Sequence, residues 1–364
     1  MRPSWIEVDL GAVRGNVVTI AAAVAPAEVC AVVKADGYGH GDVPVAEAAI
    51  EAGATRLGVA LVSEGVGLRE AGIDVPILLL SEPLAEDAAE VVRWRLTPTV
   101  DRRLFLDALA AVAPPGYPVH VKVDTGMHRV GALPDAALEL AGAVAAGPLD
   151  LEGVWTHFPV AEEDAEFTAA QVASLDRFLE RLAGRGIRPR VVHAANTAGA
   201  LGNPAARRDF VRIGIGIYGL RPAPGFAPEV ALRPAMRVMS RVVHLQHLPE
   251  GSRPSYGRRR PLAKDSTVAT VPVGYADGLT RRLAVAGGGA LIRGKRYPFA
   301  GTITMDQAVI DIGDDPVELG DEVVFLGRQG DAEIPADEWA QRLDTVNWEI
   351  VCGFGPRLPR RYLG

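Results

Sequence analysis

The chain has 364 residues, of which 48% are apolar and 23% charged, and its formal net charge is −7. This composition excludes a mainly disordered or fibrous chain, and the negative charge argues against a nucleic-acid partner. The apolar runs, such as residues 75–80, are far shorter than the roughly 20 residues of a membrane span, and the charged N-terminus does not resemble a secretion signal. We therefore expect a cytoplasmic protein of about two domains, with no membrane partner. A metal site is not expected, because the two cysteines and seven histidines show no metal-ligand spacing.

Short β-branched runs alternate with helical stretches over the first 220 residues. The predicted strands are 29–33, 57–61, 76–80, 95–100, 119–123, 151–156, 191–194 and 211–217. The clearest helix is predicted over 167–186, where one face carries Phe167, Val172, Leu175, Phe178, Leu179 and Leu182. Eight strands alternating with helices predict an α/β fold, a (β/α)8 TIM-type barrel, with a doubly wound sheet as the alternative.

A proline-rich segment at 221–234 is typical of a linker. Beyond it, the stretches 237–248, 266–276, 304–312 and 317–327 are strand-like, and one short helix is predicted at 335–343. We therefore predict a barrel domain over residues 1–228 and a C-terminal, mainly β domain over 229–364. The first strand, at about 4–10, is a candidate to pair with the C-terminal domain.

Two motifs that suggest binding sites are set aside. GIGIYG at 214–219 matches the glycine spacing of a dinucleotide-binding loop, but LRPAPG follows it, so no helix opens there to receive a phosphate. The basic run at 253–261 is more typical of a solvated loop than of a ligand site.

Lys34 directly follows the first predicted barrel strand, within AVVKADGYGHG at 31–41. In a barrel, this position lies at the end where active sites are built. Burial among apolar residues lowers the pKa of an amine, and a neutral amine can attack an aldehyde to form a Schiff base, as pyridoxal phosphate requires. On residue type alone, the alternative is a strand-end lysine that reaches out to water.

Eight segments, in order across both predicted domains, resemble the alanine racemases, which are pyridoxal-phosphate enzymes with a barrel and a β domain. The segments are AVVKADGYGHG (31–41), VKVDTGMHRVG (121–131), THF (156–158), HAANT (193–197), VRIGIGIYG (211–219), PSYG (254–257), VGYADG (273–278) and TMDQ (304–307). One segment alone would be weak evidence, whereas eight in family order are specific. The resemblance implies an isomerase that interconverts L- and D-alanine with pyridoxal 5′-phosphate.

The resemblance also implies how the cofactor is held. Lys34 would bind it as a Schiff base, His157 would stack on its ring, and Arg212 would face its pyridine nitrogen. Because a guanidinium cannot accept a proton, that nitrogen would stay unprotonated, which favours proton transfer over loss of the carboxylate. The cofactor phosphate would be bound by two pairs of residues. Asn196 and Thr197 follow the seventh strand, and Gly214 and Ile215 lie on the eighth. Tyr38, near Lys34, would also bind the phosphate.

By the same resemblance, Tyr256 in the β domain would be the second acid/base group. Racemisation needs two such groups, because a proton leaves one face of Cα and returns on the other. A phenol ordinarily has a pKa of ~10, so a tyrosine base needs neighbouring cations, and in the family Arg212 acts through His157. Since the family completes each site from two chains, we expect a homodimer with shared active sites.

The small amino-acid substrate would be bound mainly by Arg129, which would face its carboxylate, with help from the main chain at Met305. The counterpart of Lys122 is carbamylated in some relatives, and that modification orients the arginine. Tyr275 would narrow the entrance to the site, and Asp306 would support the same wall.

The sequence departs from the family pattern at four positions. Thr197 replaces a serine and keeps the hydroxyl. Thr302 stands where relatives usually have arginine, and Thr304 where many have cysteine, so the substrate preference is left open. Pro356 lies near the place where some relatives supply a tyrosine around the phosphate. The absence of that tyrosine would lower the affinity for the cofactor.

Three alternatives remain at this stage. The nearest is a racemase for serine or of broad specificity, since one methylene group discriminates by only about 1–3 kcal/mol. A decarboxylase of the same superfamily would place a carboxylate where Arg212 stands. A non-catalytic pyridoxal-phosphate-binding protein would lack Tyr256 and the TMDQ segment, both of which are present.

Overall fold

Strands and helices alternate up to residue 213, and strands dominate beyond it. The structure is a computed structural model that describes residues 2–364. The strands are β1 (Ser4–Asp9), β2 (Glu28–Val32), β3 (Arg56–Val59), β4 (Ile77–Leu79), β5 (Thr99–Val100), β6 (Pro118–Lys122), β7 (Asp150–Trp155), β8 (Val191–His193), β9 (Phe210–Ile213), β10 (Met236–Arg241), β11 (His244–Leu248), β12 (Ser266–Val271), β13 (Gly289–Ile292), β14 (Lys295–Pro298), β15 (Ala308–Gly313), β16 (Glu322–Gln329), β17 (Ala332–Ile334) and β18 (Arg360–Leu363). The α-helices are α1 (Leu10–Val24), α2 (Lys34–Gly39), α3 (Asp42–Glu51), α4 (Val62–Glu70), α5 (Ala88–Arg93), α6 (Arg103–Val112), α7 (Pro134–Ala146), α8 (Ala165–Gly184), α9 (Thr197–Gly202), α10 (Ala336–Leu343) and α11 (Asn347–Cys352).

The parallel strands β2 to β9 form a closed barrel. They pair as two four-stranded sheets, in the orders β4-β3-β2-β9 and β5-β6-β7-β8. Backbone hydrogen bonds close both gaps between the sheets: the Leu79 N–H donates to the Thr97 carbonyl at 2.9 Å, and the Arg212 N–H donates to the Ala195 carbonyl at 2.9 Å. The predicted (β/α)8 barrel is therefore confirmed, and the doubly wound alternative is wrong because β9 pairs back onto β2.

The helix α8 illustrates how the outer layer forms. Asp164 caps its first turn by accepting a hydrogen bond from the Phe167 N–H at 2.8 Å. The side chains that face the core recur every three or four residues and include Val172, Leu175, Phe178 and Leu182. Phe167, predicted on the same face, is 39% exposed and lies in the first turn of the helix.

The eighth barrel strand is shorter than predicted. It ends at Ile213 instead of residue 217, and Ile215–Tyr218 form a 3-10 helix. Gly214 ends the strand because its φ of −94° and ψ of −97° lie outside the extended region. Gly214 and Ile215 therefore follow this strand, and the prediction that they lie on it is wrong.

A second compact unit is mainly β. It comprises the N-terminal segment up to Gly11, residues Tyr38–Gly41 and Pro234–Gly364, while the barrel unit comprises Ala12–Gly37 and Asp42–Arg233. One sheet has the order β14-β13-β16-β10-β1-β18, with β17 on β16, and another has the order β11-β12-β15. The strand predicted at 304–312 begins only at Ala308, so the TMDQ segment is a loop. The rings of Phe299 and Phe325, 6.2 Å apart, lie in the core of this unit.

Candidate active site

Lys34 begins a left-handed helical turn at the carboxyl end of β2. Its side chain is half-buried, and residues 35–39 all have positive φ, between 52° and 78°. A left-handed turn costs roughly 1–2 kcal/mol for each residue other than glycine. Gly37 and Gly39 avoid that cost, but three other residues incur it. The turn must therefore be held by its surroundings, as strained backbone at functional sites generally is.

Glu64 holds the start of this turn. Its Oε1 accepts a hydrogen bond from the Ala35 N–H at 2.7 Å, and its Oε2 accepts from the Ala60 and Leu61 N–H groups at 2.8 and 3.0 Å. One carboxylate thus caps α4 and fixes the residue next to Lys34. Sequence analysis missed Glu64. Its position in the first turn of a helix signals a cap, but its second partner is 29 residues away.

Arg212, on β9, is a buried cation whose hydrogen bonds go to neutral acceptors. Its side chain is 2% exposed. Nη1 lies 2.8 Å from His193 Nδ1, and Nη2 donates to the carbonyls of Thr156 and Ala194, both at 2.8 Å, and lies 3.1 Å from His157 Nδ1. Burial lowers the pKa of Arg212 to about 9. Several acceptor groups therefore fix its plane and direction.

His157 follows β7, and the charges of the predicted site converge on it. Burial lowers its pKa well below the usual range, and the positive charges of Arg212, Lys122, Arg129 and Lys34 lower it further. The imidazole is therefore neutral, and because a guanidinium only donates, its Nδ1 accepts and its proton lies on Nε2. The structure thus brings five residues predicted from the sequence into one electrostatic group.

Lys122, on β6, is a second cation inside the barrel. It is 2% exposed, and its Nζ lies 4.1 Å from the centre of the Trp155 ring. Burial lowers its pKa to about 7, and the charges of Arg212 and Arg129 contribute to this shift. A large fraction of Lys122 is therefore a neutral amine at neutral pH.

The residues predicted to bind phosphate begin two short helical turns. The Asn196 side chain caps α9 by accepting from the Gly199 N–H at 2.9 Å, and Thr197 is 5% exposed. A Cβ on Gly216 would lie 2.9 Å from the Thr197 side chain, so the turn that starts after Gly214 packs closely on α9. The first N–H groups of a helix have no partner within it, which makes such turns suitable for an anion.

Arg129 lies in the loop after β6 and is exposed. Asp124 ties this loop by accepting hydrogen bonds from the N–H groups of Gly126, Met127 and His128 at 2.9, 2.9 and 3.1 Å. Burial opposes ionisation of Asp124, but these bonds outweigh it and lower its pKa. The loop backbone is therefore fixed, while the Arg129 side chain stays accessible to a substrate.

Tyr38 is the fifth residue of α2, which Lys34 begins, and it is 8% exposed. It belongs to the β-rich unit, where Arg360 donates from Nε and Nη2 to the Gly39 carbonyl at 3.1 and 3.0 Å. A Cβ on Gly39 would lie 2.5 Å from the Val351 carbonyl oxygen. Only glycine therefore fits at this end of the turn.

Tyr256 lies in the β-rich unit with 73% of its surface exposed. The preceding Ser255 has a φ of 68°, and its Oγ donates to the Thr302 carbonyl at 2.5 Å. A Cβ on Gly301 would lie 2.3 Å from the Pro254 carbonyl oxygen, so the two segments pack closely. The backbone at Tyr256 is thus anchored through Thr302, while the phenol is accessible.

Tyr275 and Met305 meet in a second part of the β-rich unit. The Tyr275 N–H donates to the Thr304 carbonyl at 3.0 Å, and the Ala276 N–H donates to the Met305 carbonyl at 3.1 Å. The side chains of Tyr275 and Met305 are 43% and 53% exposed. The structure therefore joins two segments that the sequence places 30 residues apart.

An ion-pair network fixes this wall. Asp277 is fully buried and pairs with Arg2 at 2.5 Å and with Arg357 at 3.2 Å, and Arg357 also pairs with Asp306 at 2.6 Å. Asp306 is thus linked to Asp277 through Arg357. Sequence analysis missed Asp277 and Arg357. Asp277 precedes a glycine, where acidic residues are common in turns, and Arg357 belongs to no motif. Pro356, beside Arg357, is exposed.

The donor groups fit pyridoxal phosphate. Lys34 offers a primary amine for an aldehyde, Arg212 offers only donors, and two helical turns offer N–H groups for a phosphate. Within residues 2–364 no three histidine, cysteine, aspartate or glutamate side chains are grouped so that they could hold a metal ion. Over the same residues, no helix is long and apolar enough to cross a membrane.

A barrel with a lysine at the carboxyl end of its first strand is typical of barrel enzymes that use pyridoxal phosphate. The family model described as "Alanine racemase, N-terminal domain" matches residues 8–222, and "Alanine racemase, C-terminal domain" matches residues 235–362. The chain belongs to the alanine racemase family, whose members depend on pyridoxal 5′-phosphate. The resemblance found in the sequence is confirmed.

Similar proteins match along their whole length. An alanine racemase of Symbiobacterium thermophilum is 46% identical, over 100% of this chain and 98% of its own. The structure of alanine racemase from Bacillus anthracis with bound L-Ala-P has a TM-score of 0.94 at 36% identity, covering 100% of this chain and 96% of its own. A histidine racemase from Leuconostoc mesenteroides has a TM-score of 0.92 at 28% identity, covering 100% and 99%.

Proposed function

We propose that the chain interconverts L- and D-alanine, with Lys34 and Tyr256 as the two acid/base groups. The observation that carries this proposal is Arg212, a buried guanidinium bonded only to neutral acceptors among the described residues. A group that cannot accept a proton suits an unprotonated pyridine nitrogen, and so favours proton transfer at Cα over loss of carbon dioxide. Family membership supports the same activity, an isomerase reaction.

The bound cofactor supplies an electron sink that makes the Cα proton of the joined amino acid acidic. Lys34 would hold the cofactor through its aldehyde and would carry the proton on one face of Cα. Tyr256 would carry the proton on the other face. Arg212 keeps His157 neutral, with its proton on Nε2, and this ring would stack on the cofactor.

The remaining residues hold the two anionic groups. We assign the cofactor phosphate to Asn196, Thr197, Gly214 and Ile215, because their backbone forms paired turns that present N–H groups, and to the hydroxyl of Tyr38. We assign the substrate carboxylate to Arg129 with the main chain of Met305. Carbamylated Lys122 would orient Arg129, and Tyr275 with Asp306 would line the entrance.

The proposed enzyme is a cytoplasmic homodimer with shared active sites. Residues 1–228 would bind the cofactor, and residues 229–364 would supply Tyr256 to the site of a second copy. Two observations support this arrangement: Lys34 and Tyr256 belong to different compact units, and the Tyr256 side chain is 73% exposed. If the Tyr256 phenol is to contact a substrate, another surface must cover it, and a second copy of the chain would supply that surface.

Solvent deuterium entry into alanine Cα tests the proposal. The protein is given L-alanine or D-alanine in deuterated buffer, and exchange and inversion are followed separately. Lys34→Ala should abolish both, whereas Tyr256→Phe should suppress proton removal from L-alanine more than from D-alanine. Tyr297→Phe is the control, because it removes a hydroxyl bonded to Asp315 at 2.8 Å, outside the proposed site. Equal loss in both directions for Tyr256→Phe would refute the two-base assignment.

A racemase for another amino acid is the second candidate. Thr302 departs from the family pattern, and a histidine racemase shares the fold. Values of kcat/KM for alanine, serine, arginine and histidine, measured side by side, would decide. A decarboxylase would release carbon dioxide, and a pyridoxal-phosphate carrier would bind cofactor without deuterium exchange.

A further inference from the structure

A chain of hydrogen bonds leads from Arg212 through the barrel interior to a carboxylate. Arg212 Nη1 lies 2.8 Å from His193 Nδ1, His193 Nε2 lies 2.9 Å from His120 Nδ1, and His120 Nε2 lies 3.2 Å from Glu152 Oε2. The guanidinium can only donate, so His193 accepts at Nδ1 and carries its proton on Nε2. His120 in turn accepts at Nδ1 and donates from Nε2. Both tautomers are therefore fixed. Each group in the series donates to the next, and Glu152 is the final acceptor.

Both histidines are neutral links. The exposure of His193 is 0% and that of His120 is 1%, and the His193 ring is stacked between Trp155 and Phe210, with centroids 5.2 and 4.1 Å away. Burial lowers the pKa of both rings, and the charges of Arg212 and Arg56 lower it further. At His120 the hydrogen bond and charge of Glu152 oppose this shift, but the net direction is still downward. A doubly protonated ring would also have no acceptor to offer Arg212.

The backbone of β7 is shaped for this contact. Val119 on β6 pairs with Leu151, but the next residue, His120, pairs with Gly153, so Glu152 is left without a partner in the ladder. Such a bulge redirects a side chain. A Cβ on Gly153 would lie 2.4 Å from His120 Nδ1, so only glycine leaves room for this ring.

We propose that Glu152 is a positioning residue for Arg212, acting through His120 and His193. Its negative charge fixes both tautomers, keeps His193 Nδ1 as an acceptor, and so holds the plane of the guanidinium. The side chain of Glu152 is 22% exposed. Its carboxylate is thus linked to Arg212 by hydrogen bonds through two histidines without contacting it. The effect of Glu152 on catalysis rests on the proposed function, in which Arg212 faces the cofactor. The tautomers of His120 and His193 do not depend on that function.

Histidine-selective nitrogen-15 NMR of the full chain tests the hydrogen-bond direction. We expect His193 and His120 each to show one protonated nitrogen, Nε2, and one unprotonated nitrogen, Nδ1, at neutral pH, both with and without cofactor. A protonated Nδ1 on either ring, or a doubly protonated ring, would overturn the proposal. This result is independent of racemase activity, so it would stand or fall separately from the proposed function.

Variants of Glu152 test its action on Arg212. Glu152→Leu removes the acceptor, and we expect the fixed His120 tautomer to be lost, the His193 Nδ1 resonance to shift, and kcat to fall on the order of tenfold with little change in KM, the low end for a lost outer partner. Glu152→Gln keeps an acceptor and should preserve the tautomers, with a smaller loss of kcat. If Glu152→Leu does not fold, the His193 resonance and kcat of Glu152→Gln test the proposal instead. A resonance and a kcat that both equal those of the parent protein would then overturn it.

Asp150→Asn is the matched control. Asp150 lies on the same strand and pairs with Arg190 at 2.7 Å, as Glu152 does at 3.6 Å, so the variant removes one nearby acidic charge without touching His120. It should leave both tautomers and kcat unchanged. If Glu152→Leu lowers the free energy of unfolding but leaves the His193 resonances and kcat as in Asp150→Asn, Glu152 is merely structural and the proposal fails.

Discussion

The guanidinium of Arg212 donates to His157 Nδ1 at 3.1 Å inside the barrel, and this bond sets the protonation of His157. His193 and His120 are buried and His157 is half-buried, and removal from water lowers the pKa of all three rings, while the charge of Arg212 lowers each pKa further. Three neutral histidines around one arginine are therefore a feature of the folded state that the unfolded chain lacks.

This difference predicts how stability depends on pH. In the unfolded chain a histidine has a pKa of about 6.5, while in the folded state these three stay neutral at lower pH. Above pH 6.5 neither state binds the protons, so stability is unaffected. Below it, only the unfolded state binds them, and each histidine removes up to about 1.4 kcal/mol per pH unit. Stability should therefore be fully present above about pH 6.5 and be lost as the pH falls.

Urea unfolding between pH 7.5 and 5.5 measures this effect. His157→Gln should flatten the dependence by one proton, while replacement of the exposed His244 by Gln should leave the slope unchanged. A slope in His157→Gln equal to that of the parent protein would contradict a neutral His157.

Removal of Glu64 should destabilise the turn that carries Lys34. Glu64→Ala leaves the N–H groups of Ala35, Ala60 and Leu61 without their carboxylate, and we expect a loss of about 2 kcal/mol in the free energy of unfolding. Cofactor affinity should fall as well, because Ala35 is next to Lys34. Glu70→Ala, at the other end of α4, is the control, and a change of equal size there would show that the effect is not specific to the cap.

Gly39→Ala should be far more costly than its positive φ alone explains. A backbone with φ of 78° disfavours alanine by roughly 1–2 kcal/mol, and the new Cβ would also lie 2.5 Å from the Val351 carbonyl oxygen. We expect an additional 1–3 kcal/mol, roughly, from that overlap. Gly116→Ala isolates the first effect, since Gly116 has a φ of 80° and a Cβ added there would have nothing within 4 Å. Equal losses of stability in the two variants would show that Val351 yields freely.

Lys122 should form a carbamate. Its pKa of about 7, set by burial and by Arg212 and Arg129, leaves a neutral amine at pH 8, and that amine adds to carbon dioxide with release of a proton. The negative carbamate would offset the neighbouring arginines. Carbon-13 NMR in labelled bicarbonate should show one carbamate signal, which Lys122→Arg removes while it keeps a cation. A parent protein without the signal would contradict the assignment.

The sequence was sufficient for the barrel because its strands are short apolar runs separated by amphipathic helices. It did not predict β13, β17 and β18, which span four, three and four residues and lie outside the alternating strand–helix pattern of the barrel. The strand predicted over 95–100 is reduced to Thr99–Val100. Such short strands are set by their partners in the sheet, and not by their own residues.

For the candidate site, sequence motifs supplied the residues, but not the contacts that hold them. His193 was visible only as part of HAANT, and His120 and Glu152 carried no motif, because their contact links three separate strands. Glu64 and Arg357 act across similar gaps. Roles that depend on long-range contacts therefore appeared only in the structure.

Borohydride reduction followed by peptide mapping shows which residue binds pyridoxal phosphate covalently, and we expect that residue to be Lys34. Reduction converts the linkage into a stable pyridoxyl-lysine, which should be found on the peptide that contains Lys34 and nowhere else. Lys122, the other lysine of the barrel unit, serves as the internal comparison. A label on Lys122, or reduced protein that carries no pyridoxyl group after incubation with the cofactor, would refute the assignment of Lys34.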